Sequence, residues 1–363
     1  MTEIGNLLRQ EIGDRGAIPF DRFMEVALYC PKMGYYERDP RVIGFGGGFY
    51  TSPSVGPLFG QLLGAQFVRG SLELGQVPVD WVEGGAHDGT LAVTVLEWLG
   101  KNRPEVLEWL TYWIVEPSAD RRSWQEEKLR HFRSKVRWID SLADLKKEQI
   151  TGLIFSNELL DAFPVHRVQW DGHQWFELGI DAEADRFVWT RLEEASIDIA
   201  AELERAGFPL EPELLAVIPH GFTVDISSAA GAWWKQAAEA LHRGKLMTID
   251  YGYTAEEFLK PERIHGTLRA YYKQRVSEDV LARPGEQDIT AHVNFTQLQR
   301  IGEEAGLKTE MFLSQEAFLS TLLQREINES SSHPLSPAET RQFQTLTHPE
   351  QMGRKFRVLV QSR

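Results

Sequence analysis

The spacing of hydrophobic positions changes along the chain. Up to about residue 70, apolar residues recur at helical spacing, as in Ile4, Leu7, Leu8 and Ile12, which predicts helices. From residue 79 onward, short apolar runs alternate with longer amphipathic segments, a pattern typical of a parallel sheet with helices on both faces. The pattern predicts an α/β protein with a doubly wound, mainly parallel sheet and an N-terminal helical region.

Five strands, joined by helices, are predicted to form most of this sheet. The predicted strands are 79–83, 112–116, 136–139, 153–156 and 245–250, and the closing segment FRVLVQS is a further strand. A helix is expected over 89–101, and Ser118 is a suitable N-cap for the charged helix that follows the second strand. Segment 44–60, rich in glycine, is predicted as a loop without a regular element, and 326–342 as a polar surface loop that leads into a short helix.

Roughly 85 residues separate the fourth strand from the fifth, too many for one crossover helix. Within them, VHRVQW, HQWFELGI and RFVWTRL alternate like antiparallel strands, and helices are expected near 193–206 and 228–242. We therefore predict four regions. They are a helical region with a covering loop at 1–70, two parts of the core at 71–164 and 228–363, and an inserted α+β substrate region at 165–227.

Charge and composition restrict the partners. The chain has 39 basic and 53 acidic residues, a formal charge of −14 that repels nucleic acids and anionic membranes but suits a cationic protein partner. Apolar runs are too short to span a bilayer, and the first residues lack the features of a secretory signal. The single cysteine, Cys30, forms no intrachain disulfide, so we expect a reducing compartment, the cytoplasm by default.

A glycine-spaced loop, WVEGGAHDGTL, follows the first predicted strand and opens a helix, the context in which such a loop binds a ligand. Gly84, Gly85 and Gly89 allow backbone N–H groups to come close to that ligand. Glu83 precedes the loop, and His87 lies inside it. A tight connection without a ligand is the alternative.

Polar residues also end the next two strands. Glu116 suits the hydroxyls of a ribose, unless it caps the helix that begins near Ser118. Asp140 and Ser141 end the third strand, where an adenine edge is expected. These features fit a dinucleotide oxidoreductase or an adenosylmethionine transferase. Glu83 favours the transferase, because a carboxylate repels a pyrophosphate and attracts a sulfonium or an ammonium group.

The fourth strand runs into SNELLDAFPVHR, which directs Asn157, Glu158 and Asp161 toward the reaction zone of an open parallel sheet. Methyl transfer depends mainly on positioning and needs no covalent intermediate. If the acceptor is arginine, carboxylates orient the guanidinium and help it shed a proton. Glu158 and Asp161 suit this role, and their spacing predicts that they share one face of a helical turn. Capping of a short helix is the alternative.

His166, within this segment, is the histidine nearest the predicted site and a candidate base or substrate contact, although a histidine beside apolar neighbours is more often structural. The histidines lack H-x-x-x-H spacing and the chain has one cysteine, so no metal site is expected. A G-x-S-x-G nucleophile motif is also missing from the sequence.

Seven ordered segments resemble the MidA-like methyltransferases, a family related to a mitochondrial complex I assembly factor. The segments are IPFDRFMEVALYCPKMGYY, FYTSPSVGPLFG, SNELLDAFPVHR, TIDYGY, GTLRAYYKQRV, PGEQDITAHVNF and MGRKFRVLV. The resemblance implies a class I methyltransferase core with adenosylmethionine as the donor and, for the mitochondrial relatives, a protein arginine as the acceptor.

The resemblance also implies roles by position. Those residues are Thr51, Ser52 and Pro53 in a loop over the cofactor, Gly85 and Gly89 in the cofactor loop, Glu116 at the ribose, and residues 157–161 between cofactor and acceptor. The chain departs from the family pattern at three places. His87 replaces the middle glycine of G-x-G-x-G, Gly48-Phe49 replaces aspartate-phenylalanine, and Asn294 replaces an aspartate.

The leading hypothesis is an adenosylmethionine-dependent methyltransferase that modifies a protein side chain, with arginine as the best candidate. Two alternatives stay open at this point. One is an assembly protein that keeps the fold without transferring methyl groups, for which His87 and Gly48 are the reasons. The other is a methyltransferase of small molecules, which would have a closed apolar pocket.

Overall fold

The computed structural model describes residues 2–38, 51–75, 78–147, 149–208, 211–273, 275–277, 279–329 and 335–363. Contacts divide the chain into two compact units. Unit one contains Met1–Phe49, Asp161–Ala232 and Gly252–Arg300, and unit two contains Tyr50–Leu160, Trp233–Tyr251 and Ile301–Arg363. Residues 252–300, which the four predicted regions assign to the core, thus belong to the same unit as the N-terminal helices.

Helices and strands of the described residues are as follows. The strands are β1 (Ile18–Pro19), β2 (Val79–Gly84), β3 (Leu110–Val115), β4 (Val136–Ile139), β5 (Ile150–Asn157), β6 (His166–Trp170), β7 (Trp175–Glu183), β8 (Arg186–Arg191), β9 (Thr223–Ile226), β10 (Leu241–Tyr253), β11 (Arg269–Tyr272), β12 (Arg275–Ser277), β13 (Asp288–Thr290), β14 (Val293–Asn294), β15 (Lys308–Ser314) and β16 (Phe356–Ser362). The α-helices are α1 (Glu3–Arg15), α2 (Phe20–Tyr29), α3 (Leu58–Glu73), α4 (Thr90–Asn102), α5 (Pro104–Trp109), α6 (Ala119–Lys128), α7 (Ile199–Arg205), α8 (Pro212–Leu215), α9 (Ser228–Ala240), α10 (Ala255–Phe258), α11 (Phe295–Glu304), α12 (Gln315–Glu329) and α13 (Pro337–Thr347).

Unit two is built on a sheet with the strand order β15-β16-β10-β5-β2-β3-β4. Strands β10, β5, β2, β3 and β4 pair in parallel, and β16 pairs antiparallel with both β10 and β15. The chain winds outward from β2 to β4 and then returns to β5, so the direction of winding reverses between β2 and β5. In open α/β sheets, ligands bind at this reversal, beyond the carboxyl ends of the strands. The predicted doubly wound, mainly parallel sheet is confirmed.

Buried apolar side chains explain why these strands form one sheet. Trp81 of β2, Tyr112 of β3 and Phe155 of β5 are fully buried, and Phe59 of α3 belongs to the same apolar cluster. Burial of such large aromatic side chains is the main stabilising contribution of a core. Ser118 is the N-cap of α6, as predicted, because its side chain accepts a hydrogen bond from the backbone N–H of Arg121.

Both predicted loops contain regular structure. Within 44–60, Ser52–Val55 forms a 3-10 helix and α3 begins at Leu58. Thr51 and Ser54 form a capping box, which supplies partners for backbone groups in a turn that contains proline. In the second predicted loop, α12 continues to Glu329, and the expected helix after the loop is α13, which begins at Pro337.

Unit one contains two antiparallel sheets. The first has the order β1-β7-β6-β9 with β8 beside β7, which confirms the predicted antiparallel strands of the insertion, and the second has the order β12-β11-β13. Helix α1 buries Ile4, Leu8 and Ile12, whereas Leu7, predicted on the same stripe, is 40% exposed. Among the described residues, every helix is too short or too polar to cross a membrane.

Candidate active site

The glycine loop connects β2 to α4 through a turn that requires a left-handed backbone. Gly85 has φ 73° and Gly89 has φ 81°, and the N–H of Gly89 donates to the carbonyl of Ala86 at 2.7 Å. His87 has φ 48°, a conformation that glycine adopts freely and other residues adopt at a cost of about 1–2 kcal/mol. The glycine that the family usually has at this position is therefore the residue that the backbone favours.

Two apolar side chains cover the first glycines of the loop. A Cβ atom on Gly84 would lie 2.6 Å from Cζ2 of Trp233, and one on Gly85 would lie 2.8 Å from Cδ1 of Leu159. Any residue larger than glycine would displace these side chains. Sequence reasoning missed the contacts of Leu159 and Trp233 with these glycines, because an apolar residue far along the chain gives no local sign that it contacts a glycine.

The far side of the loop is anchored to α6. The carbonyl of His87 accepts a hydrogen bond from Nε2 of Gln125 at 2.8 Å, and Asp88 forms an ion pair with Lys128. Burial raises the pKa of Asp88, but hydrogen bonds from His87 and Lys128 outweigh it and hold this pKa well below its usual range. The loop thus stays ordered although His87 replaces a glycine.

Glu83 lies at the end of β2 and is only 2% exposed. Its Oε2 accepts a hydrogen bond from the hydroxyl of Tyr112 at 2.7 Å. Burial raises the pKa of Glu83 to about 7, although the Tyr112 hydrogen bond lowers it in part. Near neutral pH this carboxyl group is therefore divided between its charged and neutral forms, and a nearby cation would favour the charged form.

Glu116, at the end of β3, is buried and has several partners. Its carboxylate accepts from the backbone N–H of Ser118 at 3.0 Å, from Nε of Arg121 at 2.8 Å and from Nε2 of Gln125 at 3.1 Å. Glu116 therefore makes the hydrogen bonds expected from the alternative role, in which it caps the helix that begins after Ser118. A ribose contact at Glu116 stays a prediction, and these groups would have to share the carboxylate with the sugar hydroxyls.

Asp140 and Ser141 follow β4, as expected. The side chain of Asp140 is 75% exposed and forms an ion pair with Arg122. Ser141 caps a 3-10 helix, Leu142–Asp144, through a reciprocal capping box with Asp144. Their contact with an adenine edge stays a prediction.

The end of β5 places a strained acidic residue beside the N-terminal 3-10 helix of unit two. Glu158 has φ 51°, and its Oε1 accepts from the backbone N–H of Ser52 at 2.8 Å and from Nδ2 of Asn157 at 3.1 Å. Strained backbone of this kind concentrates at functional sites. Oδ1 of Asn157 is a buried acceptor with no hydrogen-bond partner among the described residues.

The expected pairing of Glu158 and Asp161 on one helical face is wrong. The left-handed conformation of Glu158 ends the strand before the 3-10 helix Leu160–Ala162 begins, so the two residues share no helical turn. That helix is capped instead by Asp250 of β10, whose Oδ2 accepts from the N–H groups of Leu159 and Leu160 at 3.2 and 2.9 Å. Glu158 belongs to unit two and Asp161 to unit one.

The residues predicted to cover the cofactor lie at the start of unit two. Thr51 precedes the 3-10 helix that contains Ser52 and Pro53, and Ser52 is fully buried. Gly48 and Phe49, the second departure from the family pattern, lie outside the described residues. The third departure, Asn294, donates from Nδ2 to the carbonyl of Ala206 at 2.7 Å, a bond that an ionised aspartate cannot make.

His166 lies in unit one within a network of charged and polar groups. Its Nδ1 is 2.9 Å from Oε1 of Glu177 and its Nε2 is 3.6 Å from Oδ2 of Asp21, while Ser196 donates to Glu177 at 2.8 Å. Asp21, His166 and Glu177 are potential metal ligands, with ligand atoms within 4.8 Å of one another. Burial lowers the pKa of His166, but the carboxylates outweigh it and raise this pKa above its usual value. A role as base stays a prediction.

This network predicts a pH-dependent contribution of His166 to stability. The folded pKa of His166 is raised above its unfolded value, so the stabilisation is present below about pH 6.5 and lost as the pH rises through the folded pKa. We expect His166→Gln to lower the free energy of unfolding by about 1–3 kcal/mol at pH 6 and by less at pH 8.5. Urea unfolding across this range measures the difference. The exposed His173, replaced in the same way, is the control and should show no such trend.

Comparison with known proteins decides the family. The model of a family of S-adenosyl-L-methionine-dependent methyltransferases matches residues 62–313, more than half of the chain. The chain belongs to this methyltransferase family. A crystal structure of a COG1565 superfamily member from Burkholderia thailandensis bound to S-adenosyl-homocysteine is similar to this methyltransferase with a TM-score of 0.83 and 32% identity, covering 99% of this chain and 92% of that one.

Curated relatives of this methyltransferase carry a common name. The Drosophila melanogaster "Protein arginine methyltransferase NDUFAF7 homolog, mitochondrial" is 30% identical over 97% of this chain and 83% of its own length. The Homo sapiens "Protein arginine methyltransferase NDUFAF7, mitochondrial" is 25% identical over 96% of this chain and 81% of its own length. The expected cofactor, S-adenosyl-L-methionine, and the methyltransferase activity are thereby confirmed.

The residues of unit two fit this cofactor. The first turn of α4 would direct backbone N–H groups at its carboxylate, apart from that of Thr90, which donates to Oδ1 of Asp88 at 3.0 Å. Oδ1 of Asn157 is a buried acceptor suited to its ammonium group. Glu83 would supply negative charge for the ammonium and the sulfonium. The cofactor, when bound, supplies an electrophilic methyl group on a positively charged sulfur.

Glu83 makes the affinity for the cofactor depend on pH. Because the pKa of Glu83 is raised to about 7, affinity for S-adenosyl-L-methionine is expected to rise from pH 5 to pH 7, by at most about tenfold per pH unit. The amino group of the cofactor stays protonated over this range, so calorimetric titration isolates the protein carboxyl group. Glu83→Gln should remove the pH dependence. Tyr112→Phe, which removes a hydrogen bond to the carboxylate, should shift the pH dependence to higher pH. If the wild-type affinity did not change with pH, Glu83 would not be the group that favours the cofactor.

Proposed function

We propose that this methyltransferase modifies an arginine side chain of a protein substrate in the cytoplasm. The observation that carries the proposal is the position of Glu158, a carboxylate held at the end of β5 by the N–H of Ser52 at the point where the sheet reverses its winding. The names of the curated relatives support arginine as the acceptor, and the formal charge of −14 supports a cationic substrate. The single cysteine, Cys30, supports a reducing compartment.

Glu158 has two tasks in this proposal. Its negative charge orients the guanidinium so that one nitrogen faces the methyl group. As the nitrogen–carbon bond forms and the carbon–sulfur bond breaks, the sulfonium becomes a neutral thioether and the methylated nitrogen must lose a proton. Glu158 accepts that proton directly or through a water molecule and releases it to solvent.

Leu159 and Trp233 complement this role. Both side chains pack against the glycines that end β2, and their apolar surfaces exclude water next to the loop. Exclusion of water strengthens electrostatic interactions and prevents loss of the methyl group to solvent. A wall of this kind also suits an apolar small-molecule acceptor, so the acceptor has to be identified by its chemistry.

The experiment uses the full-length protein with S-adenosyl-L-methionine labelled in its methyl group. We expect label in proteins of a cell extract, and acid hydrolysis should release it as methylarginine. Label in methyl-lysine, in methyl esters or only in small molecules would contradict the proposal. Glu97 is an exposed residue on α4, so Glu97→Gln should leave the yield unchanged. It serves as the control for Glu158→Gln.

A further inference from the structure

A second group of acidic and aromatic side chains lies wholly within unit one. Asp161 and Asp288 are buried, at 4% and 3% exposure, whereas Tyr29, Tyr36 and Tyr271 are half-buried around them. The residues come from separate elements. Tyr29 ends α2, Tyr36 lies in the 3-10 helix Tyr35–Glu37, Asp161 lies in the 3-10 helix Leu160–Ala162, and Tyr271 of β11 pairs directly with Asp288 of β13.

Contacts hold this acid–tyrosine cluster together. The hydroxyl of Tyr36 donates to Oδ1 of Asp288 at 2.7 Å, and the rings of Tyr29 and Tyr36 stack with centroids 5.6 Å apart. The carbonyl of Asp161 accepts from the N–H of Ala291 at 2.8 Å. Burial raises the pKa of Tyr36, and the charges of Asp288, Tyr29 and Asp161 raise it further.

Tyr35 provides an independent observation. Its side chain is 2% exposed, and its hydroxyl has no hydrogen-bond partner among the described residues. A buried hydroxyl without a partner costs about 1–3 kcal/mol. Tyr35 contacts the cluster, because its ring meets that of Tyr36 edge-on with centroids 5.2 Å apart, and the charge of Asp288 adds to burial in raising the pKa of Tyr35. A ligand with several hydrogen-bonding groups would give this hydroxyl the partner that the protein lacks.

We propose that the acid–tyrosine cluster binds the guanidinium group of an arginine side chain of the substrate protein other than the methyl acceptor. This inference rests on the proposed function. Guanidinium is planar and weakly hydrated, it forms two parallel bonds with a carboxylate, and its face stacks on tyrosine rings. Asp288 and Asp161 supply the carboxylates and Tyr29, Tyr36 and Tyr271 the aromatic faces. Among the charges that act on Tyr271, the cation Arg269 is opposed by the two acids Asp288 and Asp161.

Lysine is the less suitable ligand for this cluster. An ammonium group is a compact, strongly hydrated charge that gains little from stacked rings and loses its hydration on burial. The two buried carboxylates belong to different elements. They match the separated nitrogens of a guanidinium better than the single charged nitrogen of an ammonium group. The cluster should therefore prefer arginine over both lysine and citrulline, the neutral isostere of arginine.

The test measures binding of N-acetyl-L-arginine amide to the full-length protein by ligand-observed NMR, with the lysine and citrulline amides as comparison probes. We expect the arginine amide to bind at least about tenfold more tightly than either comparison probe. Asp288→Asn should weaken binding of the arginine amide at least about tenfold. The exposed Asp185→Asn is the matched control in the same unit and should have no effect.

Tyr35→Phe separates binding from folding. It removes an unpartnered buried hydroxyl, so the melting temperature should stay the same or rise, while the arginine amide binds about 2–10-fold more weakly. Equal affinity for the arginine and citrulline amides, or unchanged affinity in both variants, would overturn the proposal.

Failure of the subsite and failure of the proposed function have different signatures. Methylarginine formed equally by wild type and Asp288→Asn would reject the subsite and keep the function. Selective binding of the arginine amide without any methylarginine product would keep the subsite and reject the function.

Discussion

Replacing Gly85 with alanine is expected to weaken binding of S-adenosyl-L-methionine about 100-fold and to lower the free energy of unfolding by about 2 kcal/mol. Gly85 has φ 73°, which strains any residue with a Cβ atom. The new Cβ would also lie 2.8 Å from Cδ1 and 3.2 Å from Cβ of Leu159, so the backbone has to move as well as the side chain. Displaced loop N–H groups would lose their positions for the cofactor.

Two variants separate these causes. Gly100→Ala lies in the helix that follows the loop, where a Cβ would meet Cδ2 of Leu107 at an ordinary 3.7 Å, so it should stabilise the fold by about 0.5–1 kcal/mol and leave cofactor affinity unchanged. Adding Leu159→Ala to Gly85→Ala removes the contacts with Cδ1 and Cγ of Leu159 but neither the 3.2 Å approach to its Cβ nor the backbone strain, and should restore part of the affinity. Calorimetric titration and urea unfolding measure both quantities. Unchanged affinity in Gly85→Ala would mean that the cofactor does not depend on this loop.

The sheet was predictable from the sequence because its signal is local. The third strand, 136–139, and the closing strand have the bounds that the sequence predicts, and the first lengthens by only one residue, Gly84. Apolar runs between charged helices identify these strands, whatever other elements the strands pack against. The 3-10 helix Ser52–Val55 was missed, because a glycine- and proline-rich segment resembles a loop until its capping box is seen.

The site was only partly predictable, because its geometry depends on contacts between distant residues. Glu83, Glu116 and Asn157 could be identified because each is a polar residue at the end of a predicted strand, and ligands of open parallel sheets bind beyond these strand ends. The spacing argument for Glu158 and Asp161 failed, because no sequence pattern signals the left-handed conformation of Glu158. That conformation changes the direction of the chain immediately after the strand.

Long-range partners were likewise invisible in the sequence. Arg121 and Gln125 occupy the carboxylate of Glu116, and Asp250 caps the 3-10 helix that the acidic pair was expected to form or cap. Tyr112, which lies 29 positions from Glu83, holds the carboxyl group whose charge favours this cofactor. Each of these contacts modifies a residue that the sequence had identified, and none of them moves the site to another part of the fold.

The largest effect on catalysis is expected from Glu158→Gln. Glutamine keeps an oxygen that accepts from the N–H of Ser52 and from Asn157, so the local fold should persist. It loses the negative charge that orients a guanidinium and the ability to accept its proton. Methylarginine formation should therefore fall about 100–10,000-fold in kcat/KM, the range observed when acid–base groups are removed. Affinity for S-adenosyl-L-methionine should change less than about threefold.

A pH profile distinguishes the two tasks assigned to Glu158. If proton acceptance dominates, the residual activity of Glu158→Gln should rise steadily with pH, because hydroxide and buffer bases replace the missing carboxylate. If orientation dominates, the loss should be the same at every pH and should appear mainly in KM for the acceptor. The Glu97→Gln control keeps wild-type values in both measurements. A Glu158→Gln enzyme with wild-type kcat/KM would show that this carboxylate touches neither the acceptor nor its proton, and acid–base assistance would have to come from a group outside the carboxyl end of β5.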